Sequence, residues 1–313
     1  MELIYLGTPS FAVPTLEKLL QGAHKILAVY TQPDRPKGRG GQLAQSPVKE
    51  AALRHRLPVR QPERVRRPEF VEELCALSPR AMVIVGYGQI IPQSIIDIPP
   101  LGIINVHASL LPKYRGAAPI QWAVANGETR TGVTTMRIDA GLDTGEMLLK
   151  WETDIGADEN ALQLGDRLAT AGADLLVETL QGLESGTLHP QPQNNAEATL
   201  APILKKEDGL VDWNLQTARA IFNRGRGFLP WPGIYTHFQG QLFHIWKSSV
   251  FEAIGHTPGR LRVDKKRLLV DCAESTVLEL IEVQLEGRKR VPAESFLNGQ
   301  RIGENEMLGA EPN

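Results

Sequence analysis

The amino-acid sequence predicts an α/β protein: a Rossmann-like, mostly parallel open sheet, followed by a small C-terminal antiparallel β-barrel. Three observations carry that expectation. The first half alternates strand-like and helix-like segments, the rhythm of β-α-β units with right-handed crossovers. Two of its strand-like runs, AMVIVGYG (81–88) and GIINVHA (102–108), are apolar without alternation, as strands covered on both faces are. Past residue 208 the pattern changes to short alternating runs, separated by Gly-containing turns about every 8–12 residues. At 313 residues the chain is long for a single core, so two domains are expected.

In order along the chain, ELIYLG (2–7) is a short β-rich run ending in Gly, and VPTLEKLLQG (13–22) has helical spacing with a Gly stop. KILAVYT (25–31) is strand-like again. QPDRPKGRGGQLAQSP (32–47) is a long, basic, Gly/Pro-rich loop, and loops of that length inside compact domains are usually functional or disordered. After the two buried strands, GVTTMRIDAGLDTGEMLLKWETDI (132–155) reads as two extended stretches around the turn DAGLDTG. ALQLGDRLATAGADLLVETLQGLESG (161–186) reads as one long helix. TLHPQPQNNAEATLAP (187–202) is poor in large apolar residues and rich in Pro, Gln and Asn, the composition of an interdomain linker. The expected organisation is a first domain over 1–188, a linker over 189–207 and a second domain over 208–313. In that second domain a helix-like segment (215–225) precedes alternating runs at 234–250, 259–263, 267–272 and 276–287. No internal repeat is visible.

Hydrophobic content of 42% and charged content of 22% are ordinary globular values. No apolar run is long enough to span a bilayer, so no membrane partner is expected. The N-terminus enters a strand-like run directly, without the basic region and apolar block of a signal peptide, which points to a bacterial cytoplasm. Cys75 and Cys272 lie far apart without metal-ligand spacing and read as small buried apolar residues; no metal is expected. The net charge of −2 speaks against a nucleic-acid binder, but its distribution speaks for one. From Asp34 to Arg67 there are ten Lys/Arg against three Asp/Glu. RLRVDKKR (260–267) and RKR (288–290) add local basic patches, which bind phosphates whatever the total charge.

In an open α/β sheet, ligands bind at the carboxyl ends of the strands. That rule places Gly7, Gly86 to Gly88 and Asn105 to His107 on one rim. GTPSF (7–11) follows the first strand as a dinucleotide fingerprint would, yet G-x-G-x-x-G is absent and Pro9 removes a backbone N–H that a phosphate needs. Asn105, His107 and Asp143 form the best constellation. Asn105 and His107 are i and i+2 on an extended segment and share a face. Asp143 sits in a Gly-flanked turn. An amide and an imidazole can stabilise a developing oxyanion. A carboxylate can orient the imidazole and help remove an amine proton. The set suits acyl transfer to a neutral amine, with no covalent nucleophile on the protein. Taken singly, a strand histidine is commonly structural and a turn aspartate a turn former; their co-location on the rim makes the case. SLLPKYRGAAP is either a simple turn or a rigid loop closing over a flat ligand.

With these residues in view, the chain resembles the methionyl-tRNA formyltransferases over nearly its whole length. The resemblance rests on LGTPSFAVPTLEKLL, TQPDRPKGRG with SPVK, VGYGQIIP, INVHASLLPKYRGAAPIQWA and DAGLDTGEML. It continues in DGLVDW, PWPGIYT and QLEGRKRVPAESFLNG. It implies transfer of a formyl group from the cosubstrate 10-formyltetrahydrofolate to the α-amino group of methionyl initiator tRNA. It also implies an OB-like identity for the C-terminal barrel and a monomer. Carried over residue by residue, the family's catalytic trio falls on Asn105, His107 and Asp143. Its folate-binding loop falls on Ser109, Leu110, Leu111 and Pro112, and the strand end and loop lining its pterin pocket fall on Gly86, Tyr87, Gly88 and Ile90. Its tRNA-contacting insertion falls on Arg35, Lys37 and Arg39. Leu229 stands where the family commonly has Asn, which leaves no polar role there.

Glycinamide ribonucleotide formyltransferases share the Asn-x-His pattern, the turn and a similar aspartate, so those motifs alone define only a formyltetrahydrofolate-dependent transferase. A sugar-nucleotide amine formyltransferase is a further alternative, and a non-catalytic RNA-binding relative another. The long basic loop and the C-terminal region favour a tRNA, whose backbone needs surface to grip it. The intact trio favours an enzyme.

Overall fold

The computed structural model describes residues 1–37, 42–303 and 305–309, which fall into two compact units. The first comprises Met1–Pro119, Arg130–Asp154 and Leu164–Pro202; the second comprises Ile120–Thr129, Ile155–Gln163 and the chain from Ile203 onward. The stretch 189–202, expected as part of a linker, is thus counted with the first unit.

In chain order the first half builds β1 (Glu2–Gly7), α1 (Val13–Gln21), β2 (Lys25–Tyr30), β3 (Arg35–Lys37), β4 (Gln42–Ala44), α2 (Pro47–Arg54) and β5 (Val59–Arg60). Then come α3 (Pro68–Leu77), β6 (Ala81–Val85), α4 (Gln93–Ile96), β7 (Ile103–His107), α5 (Pro119–Ala125), β8 (Arg130–Arg137), β9 (Met147–Asp154) and α6 (Ala161–Ser185). Seven strands make one sheet in the order β5-β2-β1-β6-β7-β8-β9. The first five run parallel, β8 pairs antiparallel with β7, and β9 pairs antiparallel with β8. The order reverses around β1, which makes the carboxyl ends of β1 and β6 a topological switch point. Leu3, Ile4, Leu6, Met82 and Val83 are almost wholly buried. Each such side chain contributes about 2 kcal/mol by its burial, which is why these runs are uniformly apolar. β6 stops at Val85, short of the expected 88, because Gly86 turns to a φ of +55° that ends the extended run. α2 starts where a helix should: Ser46 accepts the Lys49 N–H at 3.0 Å and Pro47 occupies the first turn.

The second unit holds α7 (Ala218–Gly227), β10 (Ile234–Phe238), β11 (Gln241–Phe251), β12 (Leu261–Asp264), β13 (Arg267–Asp271), β14 (Val277–Leu285), β15 (Val291–Pro292) and α8 (Ala293–Gly299). Its strands pair antiparallel in the order β10-β11-β14-β13-β12, with β15 on β14. The two edge strands are joined by one short segment. Phe238 bridges Leu308, and Arg260 bridges Met307. This seam draws the two edges together and closes the sheet towards a barrel. Phe238, Phe243 and Phe296 meet at ring centroid distances of 5.2–5.9 Å inside it. α7 is capped by Thr217, which accepts the Ala220 N–H at 3.2 Å.

One expectation fails here. Cys272 is buried, but Cys75 is exposed. α3 turns Leu74 into the core, and the next residue is carried about 100° round the helix onto its outer face. Burial pushes the Cys272 thiol up to about 12. A thiol reagent at mild alkaline pH should therefore label one cysteine per native chain and two after denaturation. Two labelled thiols in the native protein would contradict this packing.

Candidate functional site

The carboxyl ends of β1, β6 and β7 lie side by side, with Gly7 opposite Val85 and Ile84 opposite Asn105. Along β7, Asn105 and His107 alternate with Ile104 and Val106. Val106 packs on α6, where a Cβ at Gly172 would lie 2.8 Å from it. The two polar side chains therefore face the other side of the sheet. Both are buried, at 7% and 5% exposure. Among the described residues the Asn105 carboxamide has no hydrogen-bond partner. An amide at a strand end that is tied to no neighbouring group is free to meet a ligand there.

His107 is engaged on one side. Its Nε2 lies 2.9 Å from the Tyr114 carbonyl. A carbonyl has no proton to give, so Nε2 carries one. Nδ1 faces Asp143, whose Oδ2 is 3.7 Å away. That is ion-pair range and too long for a hydrogen bond. The bond that orients the ring is thus made by the Tyr114 carbonyl.

Asp143 adopts a left-handed φ of +52° in the turn between β8 and β9. The turn is closed at its mouth by Asp139, whose carboxylate accepts the Thr144 hydroxyl (2.8 and 2.9 Å) and the Gly141 N–H (3.1 Å). Oδ2 of Asp143 accepts the Gly116 N–H at 2.8 Å. Gly116 has φ +123°, and a Cβ there would lie 2.6 Å from the Ala201 carbonyl oxygen. Only glycine fits that position. The Gln193 amide donates to the carbonyls of Asp143 and Gly145, both at 2.8 Å.

The structure places the expected folate residues beside the trio in sequence and register. In the loop after β7, Ser109 is fully buried and its hydroxyl donates to the Lys113 carbonyl at 2.6 Å. Thr134 on β8 accepts the Leu111 N–H and donates to the Ser109 carbonyl, and Lys150 on β9 donates to the Leu111 carbonyl at 2.6 Å. Ser109 to Pro112 is therefore a rigid turn tied to two strands, with a cis peptide at Leu111–Pro112. After β6, the Tyr87 carbonyl accepts from Thr8 (3.0 Å) and Gln32 (3.1 Å), which pins Gly86 to Gly88 to the ends of β1 and β2. Ile90 is 91% exposed and stands off the surface.

Of the expected tRNA contacts, Arg35 and the backbone of Lys37 lie in β3, which pairs antiparallel with β4. Arg39 lies outside the described residues. The hairpin base is anchored by Asp34, which accepts from Lys49 (2.6 Å) and Gln61 (2.7 Å). These bonds hold its carboxyl below the usual carboxylate range. A cleft of about 490 Å³ at the ends of β1 and β2 is lined by Thr8, Gln32, Arg35, Ser46 and Gly88 among others. A larger hollow of about 680 Å³, lined by Trp151, Asp166, Thr170 and Asp174, lies on α6 and β9 and holds none of these residues. Among the described residues no group of three His, Cys, Asp or Glu could hold a metal ion, and no helix is long and apolar enough to cross a membrane.

Sequence reasoning missed Tyr114, Gly116, Thr134, Lys150, Gln193 and Thr199. Gly116 alone left a signal, as the glycine closing the loop after the strand. The others act through backbone atoms or lie far off in sequence.

Residues 1–180 match the Formyl transferase family, and residues 203–301 match the family described as Formyl transferase, C-terminal domain. The chain is 64% identical to the methionyl-tRNA formyltransferase of Solibacter usitatus over 310 residues, covering 99% of each chain. It is 56% identical to that of Koribacter versatilis, again over 99% of each. Among solved structures it resembles an N-formyltransferase of Helicobacter canadensis, determined with folinic acid and dTDP-3-aminofucose. The TM-score is 0.69 at 19% identity, over 89% of this chain and 98% of that one. A glycinamide ribonucleotide transformylase from Symbiobacterium toebii matches with a TM-score of 0.52 at 18% identity, and covers 62% of this chain.

Proposed function

This chain belongs to the formyl transferase family, as a full-length relative of the methionyl-tRNA formyltransferases, and on that premise we propose how its residues move a formyl group onto methionyl-tRNA. The enzyme is a one-carbon transferase of protein biosynthesis that prepares methionyl-tRNA for translation initiation. In this reading the donor is 10-formyltetrahydrofolate and the acceptor the α-amine of methionine on initiator tRNA, in the bacterial cytoplasm and with the enzyme as a monomer.

The observation that carries the mechanism is the buried Asn105 amide, unengaged beside a histidine whose Nε2 is already held. The formyl carbonyl sits between Asn105 and His107. The neutral amine attacks the carbonyl carbon, and the oxygen gains charge as the new C–N bond forms. Asn105 N–H donates to that oxygen, and His107 joins it through Nδ1 when the ring carries a second proton. A ring protonated at both nitrogens keeps the Tyr114 carbonyl as acceptor at Nε2 and has the Asp143 carboxylate, 3.7 Å from Nδ1, as its counter-charge. The bond from the formyl carbon to N10 of the folate then breaks. The proton lost by the amine ends on N10, and Asp143 assists its departure from the amine. Ser109 to Pro112 and Gly86, Tyr87 and Gly88 line the folate side, with Ile90 exposed beyond them, and the cleft by Arg35 opens the acceptor side.

The direct test is formylation of methionyl-tRNA by 10-formyltetrahydrofolate, with glycinamide ribonucleotide as competing acceptor. Product only on tRNA is expected; product mainly on the ribonucleotide would overturn the reading. The loop gives a second test. With Arg35, Lys37 and Arg39 all replaced by Ala, kcat/KM for tRNA should fall about tenfold or more. Its salt dependence should flatten by about one power of salt per lost phosphate contact, while folate binding is unchanged. Equal loss of folate binding would place the loop at the folate pocket instead.

A further inference from the structure

Residues 181–202 lie between the two family matches. Part of this stretch is not a free connection. Gln191 pairs with Met147 at the start of β9, and Leu200 bridges Arg115 in parallel, with Arg115 N–H donating to Thr199 and Ala201 N–H to Arg115. We propose that residues 191–201 form a strap that positions both ionisable members of the trio, with Gln193 the positioning residue for Asp143 and Thr199 that for His107. The proposal deepens the catalytic reading above and rests on it.

Gln193 uses its whole hydrogen-bonding capacity. Its two N–H groups cap the carbonyls of Asp143 and Gly145 at 2.8 Å each. Its oxygen accepts Arg115 Nε at 3.0 Å and a terminal guanidinium nitrogen at 2.7 Å, and that nitrogen also donates to Asn195 at 2.8 Å. Arg115 is 7% exposed, and Gln193 and Asn195 are neutral acceptors for its charge. Arg115 cannot shift without disturbing Gly116, its chain neighbour, whose N–H holds Asp143 Oδ2. Asp143 is thus gripped twice, at its backbone by Gln193 and at its carboxylate by Gly116. The grip matters because a left-handed aspartate relaxes unless its surroundings hold it.

Thr199 reaches His107 by a parallel route. Its hydroxyl accepts the Tyr114 N–H at 2.9 Å, and the Tyr114 carbonyl takes His107 Nε2 at 2.9 Å. Tyr114 also has a left-handed φ, +60°. One strap therefore holds two residues at left-handed φ, Asp143 itself and Tyr114, whose carbonyl takes His107 Nε2.

Gln193→Glu separates positioning from folding. The carboxylate keeps the Arg115 contact but has no N–H for the two carbonyls. In the enzyme with both substrates, kcat should fall tenfold or more, with KM for tRNA and for folate within about twofold, and the loss of kcat should persist well below the Tm of the variant, where the chain is fully folded. Combined with Asp143→Asn, Gln193→Glu should cost little more, since the residue it positions no longer carries its charge. Thr199→Val, which keeps shape and loses the acceptor, should also lower kcat at constant KM, and Thr199→Ser should restore it. A parental kcat in Gln193→Glu, or a full additional loss in the Asp143→Asn background, would overturn the strap. If Asp143→Asn itself kept full activity, the assignment of Asp143 would fail, a different failure.

Discussion

Asn105→Ala should lower kcat by about 10² to 10³ and leave both KM values nearly unchanged. The magnitude is that of one oxyanion donor, roughly 2.7–4 kcal/mol of transition-state stabilisation. The side chain is buried and, among the described residues, has no hydrogen-bond partner. Truncating it therefore breaks no internal bond and leaves no partner unsatisfied, so stability should change by little more than a small cavity requires. That contrast makes the experiment informative. A structural asparagine would show the reverse pattern, a large loss of Tm with proportionate loss of activity. Asn105→Asp should be worse than Ala, because it faces the developing negative charge with another. Single-turnover formylation measures the step itself. A raised KM with kcat intact would mean that Asn105 binds ground state and transition state alike, and would remove it from the mechanism.

The parts of this arrangement visible in the sequence were those set by periodicity. The uniformly apolar runs at 81–85 and 103–107 announce doubly covered strands, and a period of two puts Asn105 and His107 on one face. The alternating runs after 234 announce an antiparallel sheet. What periodicity does not carry is contact between distant backbone atoms. The bond orienting His107 comes from a carbonyl, and every residue has one, so no residue type marks Tyr114. Gln193 sits in a stretch whose Pro, Gln and Asn content is that of a linker, because a strap held by polar bonds needs few apolar residues. The short elements left unread, β3 and β4 at three residues each and β5 at two, are too brief for any period to declare itself. The seam that closes the barrel is two isolated bridges near residue 308, beyond the last run that alternates.

Asp143→Asn should reduce turnover by about 10², the scale of one acid–base contact, with Tm close to that of the parent. Asparagine is the informative replacement because it tolerates the left-handed conformation that Asp143 holds at φ +52°. Its carbonyl oxygen can still accept the Gly116 N–H, so shape and backbone persist while the charge is lost. Asp143→Ala changes more: an alanine at positive φ adds roughly 1–2 kcal/mol of strain, and the Gly116 N–H loses its acceptor. It should therefore lose at least as much turnover and also unfold earlier. The difference between the two variants separates what the charge does from what the turn does. If the loss is shared by both and only Ala is less stable, the charge of the carboxylate acts on the reaction, beside His107 and the departing amine proton. If Asn keeps turnover within about threefold of the parent while Ala is inactive, Asp143 is a turn residue whose geometry is all the enzyme needs. The 3.7 Å gap to Nδ1 favours the first outcome, because no hydrogen bond ties the two in the resting site and the force between them depends on charge.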